Sequence, residues 1–220
     1  NHPERGILGP DEFIEVAEET GTIIDIGTWV IEEACRACQA LSDRVGRPIQ
    51  VAINISPRQF RDPNLVATMR RSLREARLDP KHIEIEITET MLMQDVAAAQ
   101  ETVERLSELG VSLAIDDFGT GYSSLNYLKR FPINTVKLDR SFVTGLPDNA
   151  DDMTITRAVI AMAHQLNMEV VAEGVETYEQ LEFLSSQSCE YAQGWLFAKA
   201  LPLSAAIELL ASDVGMVHAG

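Results

Sequence analysis

Short apolar runs rich in β-branched residues alternate with amphipathic helical patterns along most of this sequence. The strand-like runs occur at 49–56, 83–89, 111–117, 135–139, 169–174 and 192–194. Helical spacing of apolar residues fills most of the intervals, at 64–77, 95–110, 153–167 and 178–186. Such alternation is typical of βα units whose strands are parallel. The sequence therefore predicts an α/β fold with one parallel sheet of about six strands.

Composition limits the class of protein to which this sequence can belong and the kinds of partner that it can bind. A chain of 220 residues with 45% hydrophobic and 24% charged residues is typical of a globular domain, and α/β barrels reach this size. No run of about 18 apolar residues occurs, so no direct membrane contact is expected. The net charge of −16 disfavours binding to a nucleic acid polymer. An acidic cleft can still hold a single phosphodiester if metal ions lie between carboxylate and phosphate.

Two adjacent carboxylates, Asp116 and Asp117, follow an apolar strand and enter a glycine-rich loop. Neighbouring strand residues face opposite ways, so both can serve one site only where the strand ends and the backbone turns. Gly119 and Gly121 permit that turn. A shared divalent cation would let both carboxylates stay ionised. Taken alone, such a pair is more often two solvated loop residues, so the metal hypothesis depends on the other residues of the site.

Polar side chains mark the end of each predicted strand. They are Asn54, Glu86, Asp116, Asp117, Lys137, Asp139, Glu173 and Gln193. The carboxyl ends of parallel strands meet on one face of the sheet, where binding and catalysis are usually located. A set of oxygen ligands without His or Cys favours Mg²⁺ or Mn²⁺ over zinc. Each residue alone also fits a structural role, so the prediction depends on their convergence.

Lys137 suggests a chemistry other than metal binding. A strand-end lysine such as Lys137 could form a Schiff base, but this needs a lowered pKa, and neighbouring carboxylates raise it. A charged positioning role is therefore expected.

Cys35 and Cys38 have the spacing of a redox pair but lie within a helical pattern, so buried thiols and a reducing compartment are predicted.

Six ordered motifs together resemble one known family, the EAL domain, a bacterial phosphodiesterase that cleaves cyclic di-GMP. They are INIS at 53–56, EITE at 86–89, DDFGTGYSSL at 116–125, KLDRSFV at 137–143, VAEGVET at 171–177 and QG at 193–194. The resemblance implies a modified TIM (β/α)8 barrel over residues 1–212, followed by a tail at 213–220. It also implies hydrolysis of cyclic di-GMP to linear pGpG with two Mg²⁺ or Mn²⁺ ions, Ca²⁺ being inhibitory.

By matching position, the resemblance assigns metal-binding roles to five residues. Asn54, Glu86 and Asp116 resemble ligands of a first ion, Asp116 bridges to a second, and Asp117 and Glu173 complete the second. The implied catalytic residues are Glu173 as general base, Lys137 and Asp117.

Supporting roles and partners are implied in the same way. Glu89 resembles the anchor of the loop at 118–125, while Gln193, Asp139 and Glu176 resemble supports of the site. The resemblance further implies a homodimer through the 118–125 region, fusion to sensory or cyclase domains, and a cytoplasmic setting.

Two departures from the family pattern are visible. The Glu-Ala-Leu strand should lie just before Asn1, so the first two strands of the barrel are expected to be missing, together with one carboxylate of the first metal site and a substrate-binding arginine. Ala200 stands where the family usually has proline. Two alternatives stay open, a catalytically silent module that binds cyclic di-GMP and an unrelated metal-dependent barrel. The enzyme is favoured because every ligand position present is filled.

Overall fold

The protein is an α/β fold around one parallel sheet. The computed structural model describes residues 2–119 and 128–212. Within these ranges the strands are β1 Val51–Asn54, β2 Ile83–Thr88, β3 Ser112–Phe118, β4 Thr135–Leu138, β5 Glu169–Glu173 and β6 Tyr191–Gln193. They pair in sequence order, every pair parallel, and the sheet curls like half of a barrel. The prediction of a barrel-like α/β fold with about six parallel strands is confirmed.

Helices connect the strands. Numbered along the described residues, they are α1 Ile14–Thr20, α2 Ile23–Val45, α3 Pro57–Phe60, α4 Leu65–Ala76, α5 Glu89–Gln94, α6 Val96–Ser107, α7 Arg140–Val143, α8 Ala150–Gln165, α9 Tyr178–Ser186 and α10 Leu203–Ala211. Short 3-10 helices, Pro10–Glu12 and Pro80–His82, precede α1 and β2. Helices α4, α6, α8 and α9 agree with the predicted segments at 64–77, 95–110, 153–167 and 178–186. The short helices α3, α5 and α7 follow strands directly and were not predicted, because one helical turn carries too little periodicity.

The two faces of the sheet differ in chemistry because side chains alternate along each strand. Residues on the outer face, including Ile53, Ile85, Ile115, Val136 and Val170, are fully or almost fully buried in the main hydrophobic core. The inner face carries Glu84, Glu86, Thr135 and Lys137, which are polar and also buried. The sheet therefore places its charged groups on the concave side, away from the core shared with the helices.

Two predicted regions lie wholly or mostly outside the described residues. They are the loop at 118–125, of which residues 120–125 are outside, and the tail at 213–220. Among the described helices, none combines the length and apolar character needed to cross a membrane. Cys35, Cys38 and Cys189 are buried free thiols, as predicted.

Candidate active site

Lys137 lies at the centre of the predicted site. Its Nζ atom is 2.7 Å from Oε2 of Glu86, 2.6 Å from Oε1 of Glu173 and 3.4 Å from Oδ1 of Asp116. The lysine side chain is only 5% exposed, and Glu173, the most exposed of the three carboxylates, is 20% exposed. Four charged side chains from four different strands thus meet in a largely buried cluster, which we call the Lys137 cluster.

Strand register explains why these residues meet. Asn54 of β1 pairs with Glu86 of β2, and Glu173 of β5 pairs with Gln193 of β6. Asp116 lies beside Thr88, two residues beyond Glu86. Because all strands run in the same direction, their last residues form a continuous row at one edge of the sheet. Sequence reasoning predicted this row, and the structure brings four of its members, Glu86, Asp116, Lys137 and Glu173, into contact.

The backbone of β3 is irregular where the two aspartates occur. The register of β3 against β4 shifts between Ile115 and Phe118, and Asp117 has a φ of 56°. A left-handed residue breaks the alternation of the strand, so Asp117 need not point away from the side used by Asp116. The backbone N–H of Asp117 donates to Oδ1 of Asp116 at 3.0 Å, which holds that carboxylate in place.

Burial and mutual charge set the protonation of the cluster. Burial raises the pKa of Glu86 and of Glu173, and the hydrogen bond and charge of Lys137 only partly offset this. The pKa of Asp117 is raised by burial and by Asp116 and Asp139. Burial acts to lower the pKa of Lys137, but the carboxylates of Glu173 and Glu86 outweigh it and raise that pKa. The lysine is therefore a fixed positive charge, as predicted, and unsuited to Schiff-base formation.

Comparison with known proteins decides the family. The sequence pattern of the EAL domain matches residues 1–200. The chain belongs to the EAL domain family.

Relatives of this EAL domain include a named phosphodiesterase and a named signaling protein. It is 46% identical over 209 residues to the cyclic di-GMP phosphodiesterase NbdA of Pseudomonas aeruginosa, an alignment that covers 95% of this chain and 27% of NbdA. It is 44% identical over 200 residues to the signaling protein YkoW of Bacillus subtilis, covering 91% of this chain and 25% of YkoW. The EAL domain thus spans about a quarter of the length of these curated relatives.

Solved structures share the fold. A structure of the PaMucR phosphodiesterase in complex with c-di-GMP superposes with a TM-score of 0.89 at 42% identity, covering 93% of this chain and 83% of that chain. The EAL domain of Mycobacterium smegmatis DcpA gives a TM-score of 0.82 at 40% identity, covering 88% and 86%.

Residues next to the Lys137 cluster connect the loop that follows β4 to the loop that follows β5. Asp139 caps α7, since Oδ1 accepts a hydrogen bond from the backbone N–H of Ser141 at 3.0 Å. Glu176 is not part of the Lys137 cluster but pairs with Arg140 at 3.1 Å. The stem of Arg140 packs against Gly174, where a Cβ would come within 2.5 Å of it. The β4 and β5 loops are thereby fastened to each other directly beyond Lys137 and Glu173.

Asn54 and Gln193 lie on the two edge strands of the described sheet, and both are exposed. Gln193 is fixed mainly through its backbone, whose carbonyl accepts from the N–H of Val175 at 3.0 Å. The following Gly194 lies so close to this segment that a Cβ would be 2.1 Å from the carbonyl oxygen of Val175. Strand β6 is therefore held tightly against the loop that follows Glu173.

Glu89 begins α5 and is only 5% exposed. Its Oε2 atom is buried and has no hydrogen-bond partner among the residues that the structure describes. The predicted anchoring of the 118–125 loop by Glu89 concerns residues that mostly lie outside the described ranges. Its role as an anchor stays a prediction.

Sequence reasoning missed Glu84, a buried carboxylate on the same face of β2 as Glu86. Its Oε2 accepts a hydrogen bond from Oγ1 of Thr135 at 2.7 Å. Burial raises its pKa, while Thr135 and Lys137 act in the opposite direction. The two-residue alternation in the strand 83–89 was the available signal, because it places Glu84 and Glu86 side by side on one face.

The donor set fits divalent cations by charge and by ligand type. Glu86, Asp116, Asp117 and Glu173 supply four carboxylates against one lysine, and oxygen ligands suit Mg²⁺ and Mn²⁺. In the described residues, no three His, Cys, Asp or Glu side chains are arranged around a common ion position. Three of the carboxylates contact the ammonium of Lys137 instead.

Proposed function

We propose that this EAL domain hydrolyses cyclic di-GMP to linear pGpG in a reaction that requires two Mg²⁺ or Mn²⁺ ions. The observation that carries the proposal is the Lys137 cluster, which concentrates excess negative charge at the carboxyl edge of the sheet. Support comes from relatives named as cyclic di-GMP phosphodiesterases and from the c-di-GMP complex of PaMucR.

In this proposal Asn54, Glu86, Asp116, Asp117 and Glu173 hold the ions. Bound divalent ions supply positive charge to the phosphodiester and lower the pKa of a bound water. The water oxygen forms a new bond to phosphorus, the ester bond to one ribose 3′ oxygen breaks, and that oxygen takes up a proton. The product is a linear dinucleotide with a 5′ phosphate and a free 3′ hydroxyl.

Lys137 and Glu173 have separate tasks in the proposed reaction. The ammonium of Lys137 is held by three carboxylates and remains charged, so it orients the water and offsets charge on the phosphate. Glu173 is the proton acceptor for that water, since it is the most exposed of the three carboxylates on Lys137 and lies at the end of β5.

Turnover of cyclic di-GMP tests the proposal. The chain is incubated with the dinucleotide and Mg²⁺ or Mn²⁺, with EDTA in parallel, and products are separated by anion-exchange chromatography. We expect pGpG only with metal, and loss of turnover in Glu173→Gln but not in Glu182→Gln, a control at an exposed residue of α9.

Binding without turnover separates the alternatives. Saturable binding of cyclic di-GMP with no product from the metal-loaded protein would identify a silent binding module. Cleavage of a simple aryl phosphodiester but not of cyclic di-GMP would indicate a different substrate for the same metal chemistry.

A further inference from the structure

A groove with an arginine rim lies at the opposite end of the sheet from the Lys137 cluster. It has a volume of about 280 Å³, and Arg70, Arg74 and Arg77 line it. The groove is formed where α4 ends and the chain turns into Pro80–His82 and β2, so it lies near the amino ends of the strands. Any ligand bound there would leave the carboxyl edge of the sheet accessible.

The three arginines form a row. They occur at spacings of four and three residues, which places them on one face of α4 and its C-terminal cap, over a length of about 10 Å. All three are exposed, and none of their guanidinium groups has an ion pair or hydrogen bond with another residue in the described part of the chain. The neighbouring Arg71, by contrast, pairs with Glu32 of α2 at 2.8 Å.

This row is unusual in a chain with 34 acidic and 18 basic residues. Acidic residues are abundant, yet none lines the groove. Asp79, the closest in sequence after Arg77, is already paired with Lys81 at 2.7 Å. Glu75 and Glu108 are adjacent in sequence to lining residues but do not line the groove themselves. Because charges beyond about 8 Å are largely screened at physiological salt, the arginines that line the groove act on a ligand there more strongly than the total charge of the chain does.

The floor of the groove is apolar. Leu73 and Leu78 are buried to 5% exposure, and Leu109 and Pro80 complete the floor. Gly110, which follows Leu109, lies next to Pro80, where an added Cβ would be 3.5 Å from the proline ring. An apolar floor beside a row of cations is suited to an amphipathic segment more than to a small free anion.

The backbone of Arg77 gives an independent indication. Arg77 caps α4 with a φ of 53°, a left-handed conformation that glycine or asparagine usually supplies at this position. Its backbone N–H bonds to the carbonyls of Arg74 and Leu73, so glycine could make the same cap. A strained arginine at a position suited to glycine points to a use for its side chain.

We propose that this groove binds an acidic amphipathic helix of a partner protein, with its carboxylates on the arginine row and its apolar face on the leucine floor. Acidic residues at positions i, i+4 and i+7 of such a helix match the spacing of the arginines. This proposal does not depend on the proposed hydrolysis.

The test uses a designed helical peptide of about 14 residues, about 21 Å long, with glutamates at those positions and leucines on the adjoining face. A matched peptide carries glutamine in place of glutamate, and binding is followed by fluorescence anisotropy. We expect saturable binding of the glutamate peptide, and about tenfold weaker binding both for the glutamine peptide and for the R70Q/R74Q/R77G protein.

Two single variants separate binding from folding. Arg77→Gly should weaken binding about twofold to threefold while leaving the melting temperature unchanged or higher, because glycine relieves the left-handed strain. Arg36→Gln, an exposed arginine of α2 that does not line the groove, should bind as the wild type does. Equal binding of both peptides, wild-type affinity in the triple variant, or no saturable binding up to about 1 mM would overturn the proposal. Displacement of the peptide by inorganic phosphate at comparable concentration would also overturn it, in favour of a small anion.

Discussion

The Nζ atom of Lys137 lies 2.6 Å from Oε1 of Glu173, and the pair joins the ends of two adjacent strands. Glu86 and Asp116 approach the same ammonium from the other side. Lysine is thus the only cation of the described cluster, and it offsets the charge of carboxylates that are proposed to hold metal ions. Its removal should therefore affect the protein differently with and without metal.

We predict that Lys137→Met costs about 3–5 kcal/mol of unfolding free energy in EDTA, because buried carboxylates lose their counter-charge. Saturating Mn²⁺ should recover most of this loss while kcat stays low. Thermal unfolding with and without Mn²⁺ measures the difference, and Lys129→Met serves as an exposed control. An equal loss of stability in both conditions would show that metal does not share the carboxylates with Lys137.

Asp116→Asn should lower kcat by more than about 1000-fold, about 4 kcal/mol of transition-state stabilisation, because an amide lacks the charge needed by a ligand that is proposed to bridge two ions. Steady-state hydrolysis of cyclic di-GMP measures this, with Asp43→Asn on α2 as a charge-matched control. Activity of Asp116→Asn within about tenfold of wild type would remove Asp116 from the bridge.

Gly194→Ala should destabilise the protein by about 3 kcal/mol and reduce activity, since its Cβ would lie 2.1 Å from the Val175 carbonyl oxygen. Chemical denaturation measures the stability. Gly9→Ala is the matched control, because a Cβ there meets open space. Similar stability for the two variants would mean that the 174–176 loop moves aside at little cost.

Glu89→Ala should weaken both dimerisation and turnover if Glu89 anchors the 118–125 loop at a dimer interface. The buried position of Glu89 beside the site supports this expectation. Sedimentation velocity and hydrolysis are measured on the same samples. Loss of turnover in a variant with an unchanged monomer–dimer equilibrium would separate the loop from the interface.

The thiols should be unreactive in the folded protein. Burial raises the pKa of Cys35 to about 11, with a further contribution from Cys38, and burial likewise raises the pKa of Cys189 to about 11. At pH 8 these groups are protonated, and the thiol form is a poor nucleophile. Ellman's reagent should detect 3 thiols only after unfolding in guanidinium chloride. Rapid labelling of the native protein would show that the packing around Cys35 and Cys38 in α2, or around Cys189 just before β6, opens readily.

The convergence of Glu86, Asp116, Lys137 and Glu173 was predictable, because each lies within two residues of the end of a strand and parallel strands end on the same edge. The contacts between these side chains could not be predicted from the sequence. Nothing in the motif around Lys137 states that its ammonium lies between three carboxylates, since this depends on the curl of the sheet and on rotamers.

Local backbone detail also escaped prediction. Gly119 has a φ of 97°, as the predicted turn requires, but Asp117 also adopts the left-handed conformation, which the glycines do not predict. The role of Gly194 depends on a contact with Val175, which is distant in sequence, and no local pattern encodes such an approach. Glu84 was overlooked because a strand-end rule considers only the last residues, whereas its significance comes from burial deeper in the sheet.

The all-parallel order of the sheet also determines when the site can exist during folding. Parallel neighbours cannot be joined by a tight hairpin, so each pairing closes a long stretch of chain before it contributes contacts. Topologies of this kind fold slowly relative to helical bundles. Lys137 meets Glu173 only after β5 has docked on β4, so a nascent chain that has not yet extended past β5 carries the aspartate pair without the complete charge cluster. The site is thus assembled only after β5 has been synthesised, and fragments that end before β5 would carry an incomplete site.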